Sequence, residues 1–337
     1  FACQAGAKKV YAIEAKEVIE VAKEIAWAND FQDRIVFIRD ISTEVTLPEK
    51  ADVLVSELIG DFVLAENLNH YIIDGRDRFL KKNGRLIPSK LEMFLVPVEV
   101  RESYESVVFS NQNLYGINFL PLRKISLNRL HTVMVNPRSF LSKPLLLKEI
   151  DFYQIKEISE LYLDKSLSFT VNRSGVLYGL AGWFIAHLSP STKLFTSPLS
   201  PTTHWENTFF PLEKPVSVLK GDTIHIQIKA VPYKWEHDIL WVWQVEVEGE
   251  EKVTFSHSTL QSLPISREGL IKRSVDFIPN LSSSGEIIRF VINQFDGKKT
   301  IGQIAEDLHR QYPDFYSDIR KALGKVAEVA KKYSKEK

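Results

Sequence analysis

Glu57 and Glu66 stand nine residues apart in Ser56-Glu57-Leu58-Ile59-Gly60-Asp61-Phe62-Val63-Leu64-Ala65-Glu66, and Thr203-His204-Trp205 lies far downstream. A guanidinium keeps its proton at every accessible pH and presents five donors in a planar fork. Two carboxylates approaching from opposite sides can accept paired hydrogen bonds from it, fix its plane and draw its charge toward the far nitrogens. An ammonium, a point charge on a flexible stem, fits such a clamp poorly. Each half of this set is weak alone, because among 43 acidic residues a glutamate pair is ordinary solvated surface.

Side chains of this kind need rigid elements to aim them. Val10-Tyr11-Ala12-Ile13, closed by Glu14, reads as a short strand. Ile35-Val36-Phe37-Ile38 and Asp52-Val53-Leu54-Val55-Ser56 read as two more, of the near-continuous apolar type buried in parallel sheets. Val18, Val21, Ala22, Ile25 and Ala26 form one helical stripe between the first two strands. Leu68, Ile72, Gly75 and Phe79 lie on one face of a helix beginning near Glu66. This is α/β material, in which ligands sit at the carboxyl ends of the strands. Glu14 and Glu57 both occupy such ends.

From about Pro88 the period changes to two. Ile224, Ile226 and Ile228 alternate with His225, Gln227 and Lys229, and Ile239, Trp241, Trp243, Val245 and Val247 continue the pattern. With turn residues such as Gly221-Asp222 and Pro232, the alternation predicts an antiparallel barrel or sandwich over 89–260. Residues 111–135 keep no sustained strand period and read as an insertion. Residues 262–337 read as a separate helical module. Ile288, Val291, Ile292 and Phe295 mark one helix, and Thr300 with Gln303 forms a capping box for the next. Ile319, Leu323, Val326, Ala330 and Tyr333 mark the last.

A chain of 337 residues is expected to hold two or three domains, and 44% hydrophobic with 26% charged residues supplies sizeable cores. Lysine plus arginine balances aspartate plus glutamate at 43 each, which argues against adhesion of the whole chain to nucleic acid or membrane. The single Cys3 has no partner for an internal disulfide, no histidine or cysteine spacing suits a metal, and a reducing cytoplasmic setting is expected. No apolar run reaches the ~18–20 residues that cross a bilayer. The start reads as a helix end closing on Gly6 rather than an initiator, so an N-terminal portion is expected to precede Phe1.

Taken in order, these residues resemble the protein arginine N-methyltransferases over about 260 residues. Ala5-Gly6-Ala7-Lys8-Lys9-Val10-Tyr11-Ala12-Ile13-Glu14 is similar to the segment after that family's cofactor loop, and Glu57 to Glu66 to its double-glutamate loop. Leu86-Ile87-Pro88 resembles the exit from its cofactor domain, and Thr196-Ser197-Pro198, Pro201 and Thr203-His204-Trp205 its barrel loop. Asn113-Leu114-Tyr115-Gly116 lies where the family carries a dimerisation arm. The resemblance implies a Rossmann-like domain for S-adenosyl-L-methionine over 1–88, N-terminally incomplete. A β-barrel substrate domain with an arm near 111–135 would follow, and the assembly would be a homodimer.

It further implies methyl transfer to an arginine of a protein or peptide, with Glu57, Glu66 and His204 catalytic and Trp205 against the substrate. Glu14 would accept the ribose hydroxyls, although a carboxylate there also suits a helix N-terminus. Thr43 and Glu44 fall where the family holds the adenine amino group, and Glu57 borders the cofactor as well. His204 would orient the carboxylates or carry off a proton, or else serve as a backbone-bonded turn histidine. Asp296-Gly297-Lys298-Lys299-Thr300-Ile301-Gly302-Gln303-Ile304-Ala305 resembles the PqqD-like peptide-binding proteins, which are winged-helix-like, and a plain helical tail is the other reading. Two alternatives stay open on sequence: a same-fold methyltransferase with another peptide or small-molecule acceptor, and a catalytically inactive peptide-binding scaffold.

Overall fold

The computed structural model describes all residues except 61, 65–67, 109–112, 234–237, 250–251 and 336–337, and only the backbone of 68–69, 113–114, 158, 232–233 and 238. The chain falls into two compact units, Phe1–Leu263 and Pro264–Lys337.

The first unit opens with two parallel strand pairs. β1 (Val10–Ile13) pairs with β2 (Ile35–Ile38) across helix α1 (Val18–Ala28). β3 (Ala51–Val55) pairs with β4 (Leu80–Ile87) across α2 (Leu68–Phe79). Ahead of β1, the amides of Gly6 and Ala7 bond back to Cys3 and Ala2, with Gly6 at φ 96°. This is the left-handed close of a helical turn, which glycine adopts without a β-carbon clash. Gly75 of α2 lets the helix ride on β3, since a β-carbon there would meet Leu54 Cδ2 at 3.1 Å.

Two expectations change here. The stripe expected to be the buried face of α1 is instead largely outward: Val18, Val21 and Ile25 are exposed, while Ile19 and Ala26 are buried. Val36, Val53 and Val55 also meet solvent, unlike strands buried on both faces. Each parallel pair is only two strands wide among the described residues, so these faces have no described element against them.

Past the cis Ile87–Pro88 peptide the chain is antiparallel. β5 (Lys90–Val98), β8 (His131–Val133), β9 (Leu145–Asp151), β11 (Gly175–His187), β12 (Lys193–Phe195) and β13 (Asn207–Val218) form one sheet, ordered β8-β13-β11-β5-β9 with β12 on β11. β10 (Leu163–Thr170), β14 (Thr223–Tyr233), β15 (Asp238–Glu248) and β16 (Lys252–Ser258) form the second in that order. The period of two sets the register. Ile224, Ile226 and Ile228 stand opposite Val247, Val245 and Trp243, all buried, with His225 and Gln227 on the outer face. One core is shared by both sheets, from Leu91 and Phe210 to Ile226 and Phe255.

The expected barrel is corrected in one respect. Among the described residues the ladders make two sheets and no closed ring. Edge strands β9 and β10 run near each other without pairing, and Lys148 Nζ spans the seam to the carbonyls of Glu160 and Tyr162, 2.9 Å each.

The insertion at 111–135 is only partly a detached feature. β6 (Asn113–Leu114) and β7 (Ile117–Asn118) form a hairpin with Tyr115 and Gly116 at φ 55° and 76°, the pair of positive values a tight hairpin favours. α3 (Arg101–Val107) precedes it, and α4 (Leu120–Leu127) follows. Leu127, Val133 and Val135 are buried with Tyr104, Trp183 and Phe209 on the sheet's outer face, and β8 pairs with β13. The end of the segment is thus built into the main sheet.

The second unit holds α5 (Arg267–Lys272), α6 (Ser283–Ile292), α7 (Ile301–Gln311) and α8 (Ile319–Tyr333), with no strand among its described residues. Thr300 and Gln303 cap α7 reciprocally, at 3.3 and 2.9 Å. Its core joins Ile287, Val291, Ile304, Leu308, Ala322, Val326 and Val329. The face of α8 is therefore turned from the expected one, leaving Ile319, Leu323 and Tyr333 in solvent.

Candidate functional site

The loop carrying Glu57 leaves β3 and dives into the antiparallel core. Ile59, Phe62, Val63 and Leu64 are buried there. Phe62 packs on Phe210 and Trp241 at ring separations of 5.6 and 5.4 Å. It fits because β11 has no side chain beneath it: a β-carbon on Gly182 would stand 2.6 Å from the Phe62 ring. Val63, fully buried, is held at φ 67°, a conformation a β-branched residue avoids. Strain of this kind, about 1–3 kcal/mol, persists where surroundings over-determine a loop, and clusters at binding and catalytic sites. Glu57 itself is exposed, and one carboxylate oxygen accepts the Ile59 amide at 3.3 Å. Glu66 lies outside the described residues.

The second loop connects β12 to β13 and is pinned at both ends. Thr196 exchanges bonds with the Phe184 backbone at 3.0 Å. Asn207 donates to the Thr196 carbonyl at 2.9 Å and accepts the Val135 amide at 3.2 Å. Between these anchors, Trp205 is buried edge-on against Phe184, and its indole N–H donates to the Ile59 carbonyl at 2.8 Å. A buried indole requires such a partner. This bond joins the loop of Glu57 to the loop of His204, 146 residues apart in sequence. His204 is exposed with its ring on Trp205, centroids 3.7 Å apart. Glu206, next in the chain, is held at φ 47°. Two of the four non-glycine residues with positive φ among the described residues, Val63 and Glu206, thus belong to these two loops.

Glu14, Thr43 and Glu44 follow β1 and β2. One Glu14 oxygen accepts the Lys16 amide at 2.8 Å, the helix-start role, and among the described residues its other oxygen has no hydrogen-bond partner. Thr43 and Glu44 sit in a helical turn clamped by Arg78 of α2, which donates to the carbonyls of Val45 and Ser42 at 2.6 Å each while paired with Asp74. Thr43 is half-buried and Glu44 exposed. Sequence reasoning missed the Gly182–Phe62 fit, the Trp205–Ile59 bond and the anchors Thr196 and Asn207. A glycine inside the long apolar run of β11 was the one available signal of close approach.

With two parallel strand pairs, an antiparallel double sheet and these interlocked loops described, the chain can be set beside known proteins. Residues 89–257 match the family model for the arginine methyltransferase oligomerization subdomain. Mouse protein arginine N-methyltransferase 2 is 31% identical over 229 residues, 65% of this chain and 51% of that protein. Rice (subspecies japonica) protein arginine N-methyltransferase PRMT10 is 31% identical over 277 residues, 71% of each chain. Among solved structures, Arabidopsis thaliana protein arginine methyltransferase 10, in an open conformation, superposes with a TM-score of 0.65 at 25% identity, covering 77% of this chain and 84% of that one. The Trypanosoma brucei PRMT1 enzyme-prozyme heterotetrameric complex with AdoHcy gives 0.70 at 23% identity, covering 76% and 83%, a likeness of fold. The chain belongs to the protein arginine N-methyltransferase family. It spans about half the length of the mouse relative and of its human counterpart, 51% and 53%.

Proposed function

We propose that this protein transfers a methyl group from S-adenosyl-L-methionine to a guanidinium nitrogen of an arginine in a protein or peptide. The observation that carries the reading is the 2.8 Å bond from Trp205 to the Ile59 carbonyl, which ties the Glu57 loop to the His204 loop. The residues present fit the cofactor: Glu14 retains an oxygen beyond its bond to Lys16 and follows a parallel strand, the position from which a carboxylate accepts ribose hydroxyls. Thr43 and Glu44 offer acceptors for an amino group on the turn that Arg78 holds. When bound, the cofactor supplies a sulfonium-borne methyl carbon to an in-line nucleophile.

The chain's own part is placement. Glu57 and Glu66 accept from the guanidinium, hold its plane and pull its charge away from the attacking nitrogen. The proton displaced from that nitrogen leaves through His204, whose ring stands in solvent beside Trp205. Placement of this kind can contribute ~7–11 kcal/mol to the barrier. Glu57→Gln keeps size and fold and is expected to cut methyl transfer on the order of 100-fold or more. Radiolabelled methyl incorporation into an arginine peptide measures it; undiminished transfer sinks the reading.

The finer parts of the proposal rest on exposed surface. A homodimer is supported by two apolar features left in solvent, the hairpin tip (Tyr115 is 92% exposed) and the outer face of α1 (Trp27 is 72% exposed). A PqqD-like, peptide-recruiting role for 264–337 is supported by exposed Phe315 and Leu323 and by a cavity of about 470 Å³ lined by Glu306, His309, Arg310, Pro313 and exposed Ile319. Leu323→Asp, a surface change, is then expected to weaken capture of the polypeptide substrate while leaving short-peptide turnover unchanged. Equal capture by both forms in a pull-down removes that role. A cytoplasmic setting completes the proposal, where Cys3 stays a thiol.

A further inference from the structure

Beside the His204 loop lies a small polar niche of about 50 Å³, lined by Met134, Val135, Ser197, Thr203, Glu206 and Asn207 among others. Its floor is already satisfied. Thr196 is spent on Phe184, and Asn207 on Thr196 and Val135. Among the other lining groups are the Thr203 hydroxyl and the Glu206 carboxylate. The Thr203 hydroxyl is shut off from solvent with no hydrogen-bond partner among the described residues. The Glu206 carboxylate likewise has no cation or donor among them, and its backbone is held at φ 47°, where only the surrounding loop keeps it. A closed-off hydroxyl without a partner costs stability unless a donor repays it.

The guest's chemistry follows from polarity and charge: the niche is small, about 50 Å³, and presents a carboxylate and a hydroxyl. An ammonium is compact, cationic and brings three rotatable donors, enough for a carboxylate and a hydroxyl together. The niche is also continuous with the site proposed above. Thr203 directly precedes His204, and Trp205 is bonded to Ile59, two residues beyond Glu57. Chain geometry keeps the niche within ~20 Å of Glu57, a span covered by about five extended residues at ~3.3–3.6 Å each.

We propose that this niche binds the ammonium of a substrate lysine lying within about five residues of the target arginine, with Glu206 and Thr203 as the residues that set this preference. The inference rests on the arginine-methylation reading for its substrate class. Its test uses the full chain and a fluorescent peptide series with a single arginine, carrying lysine, norleucine or glutamate at each position from −5 to +5. Binding is read by anisotropy and turnover by methyl incorporation, so the two readings fail separately. A lysine at one or two positions is expected to tighten binding about tenfold over norleucine, the scale of one charge-assisted hydrogen bond. Glu206→Gln should collapse that ratio to about one, Glu206→Asp should keep part of it, and Glu206→Lys should reverse it toward glutamate, which no merely structural role produces. A wild-type protein indifferent to flanking lysine overturns the niche proposal, as do variants that weaken all peptides equally. Binding with the expected ratio but without methylation would instead leave the niche standing and remove the methyl-transfer reading.

Discussion

His257 shows what a single buried side chain contributes here. It is 4% exposed, stacked on Trp243 at 5.1 Å, and its Nε2 has no partner among the described residues. Burial pushes its pKa down to about 4, against a slight upward pull from Glu213. The imidazole is therefore neutral in the fold, while the unfolded chain takes up a proton near pH ~6.5. Between those values the unfolded state binds more protons, so stability is complete above pH ~6.5 and falls as pH drops toward 4. The loss from this residue amounts to roughly 3 kcal/mol at the acid end. His257→Phe keeps the stack and removes both the titration and the orphan nitrogen. Urea unfolding should show it more stable than the parent at pH 4.5, with the gap narrowing by pH 7.5; a gap independent of pH contradicts the account. Trp205 is the opposite case, a buried polar group fully used, and its one bond is what aligns the two loops.

At the scale of elements, the site depends on how a loop keys into a strand. β11 runs through the middle of its sheet, and Gly182 is the gap into which Phe62 inserts. Gly182→Ala would press a methyl to 2.6 Å from that ring, so Phe62 must shift and carry the Glu57 loop with it. Overpacking of this kind costs about 1–3 kcal/mol. The expected result is a protein that still melts cooperatively, a few degrees lower, with methyl transfer reduced by roughly 100-fold through misplacement. Loss of stability without loss of transfer would show that the loop does not need Phe62 seated. The strands themselves were legible. The alternation around Ile224 and around Trp243 marks β14 and β15, and the capping residues mark α7. Which face of α1 or α8 is buried was not legible, because both helices carry apolar residues on more than one side and only the neighbouring elements choose between them.

For the whole molecule, the exposed hairpin tip and the α1 face make the assembly testable. Deleting all of 111–135 would be a poor experiment, since it removes β8 and the buried Val133 and Val135 from the main sheet. A paired change at the tip, Tyr115→Ser with Ile117→Asp, touches only exposed side chains. Sedimentation should then report a monomer where the parent is a dimer, and Trp27→Glu should do the same from the other side. A dimer mass kept by both variants would end the assignment of these faces as the interface, and a monomeric parent would end the dimer proposal.

Local chemistry along the chain was enough to determine the order of α/β, antiparallel and helical material, and the presence of two carboxylates with a threonine-histidine-tryptophan run. Those depend on period and residue type, which are properties of neighbouring positions. The tertiary structure alone decided that Trp205 would find the Ile59 carbonyl, that Phe62 would sit over Gly182, and that the Thr203 hydroxyl would be left unpaired near Glu206. The first two are contacts between segments more than a hundred residues apart, selected by packing and by the cost of leaving a buried polar group unpaired.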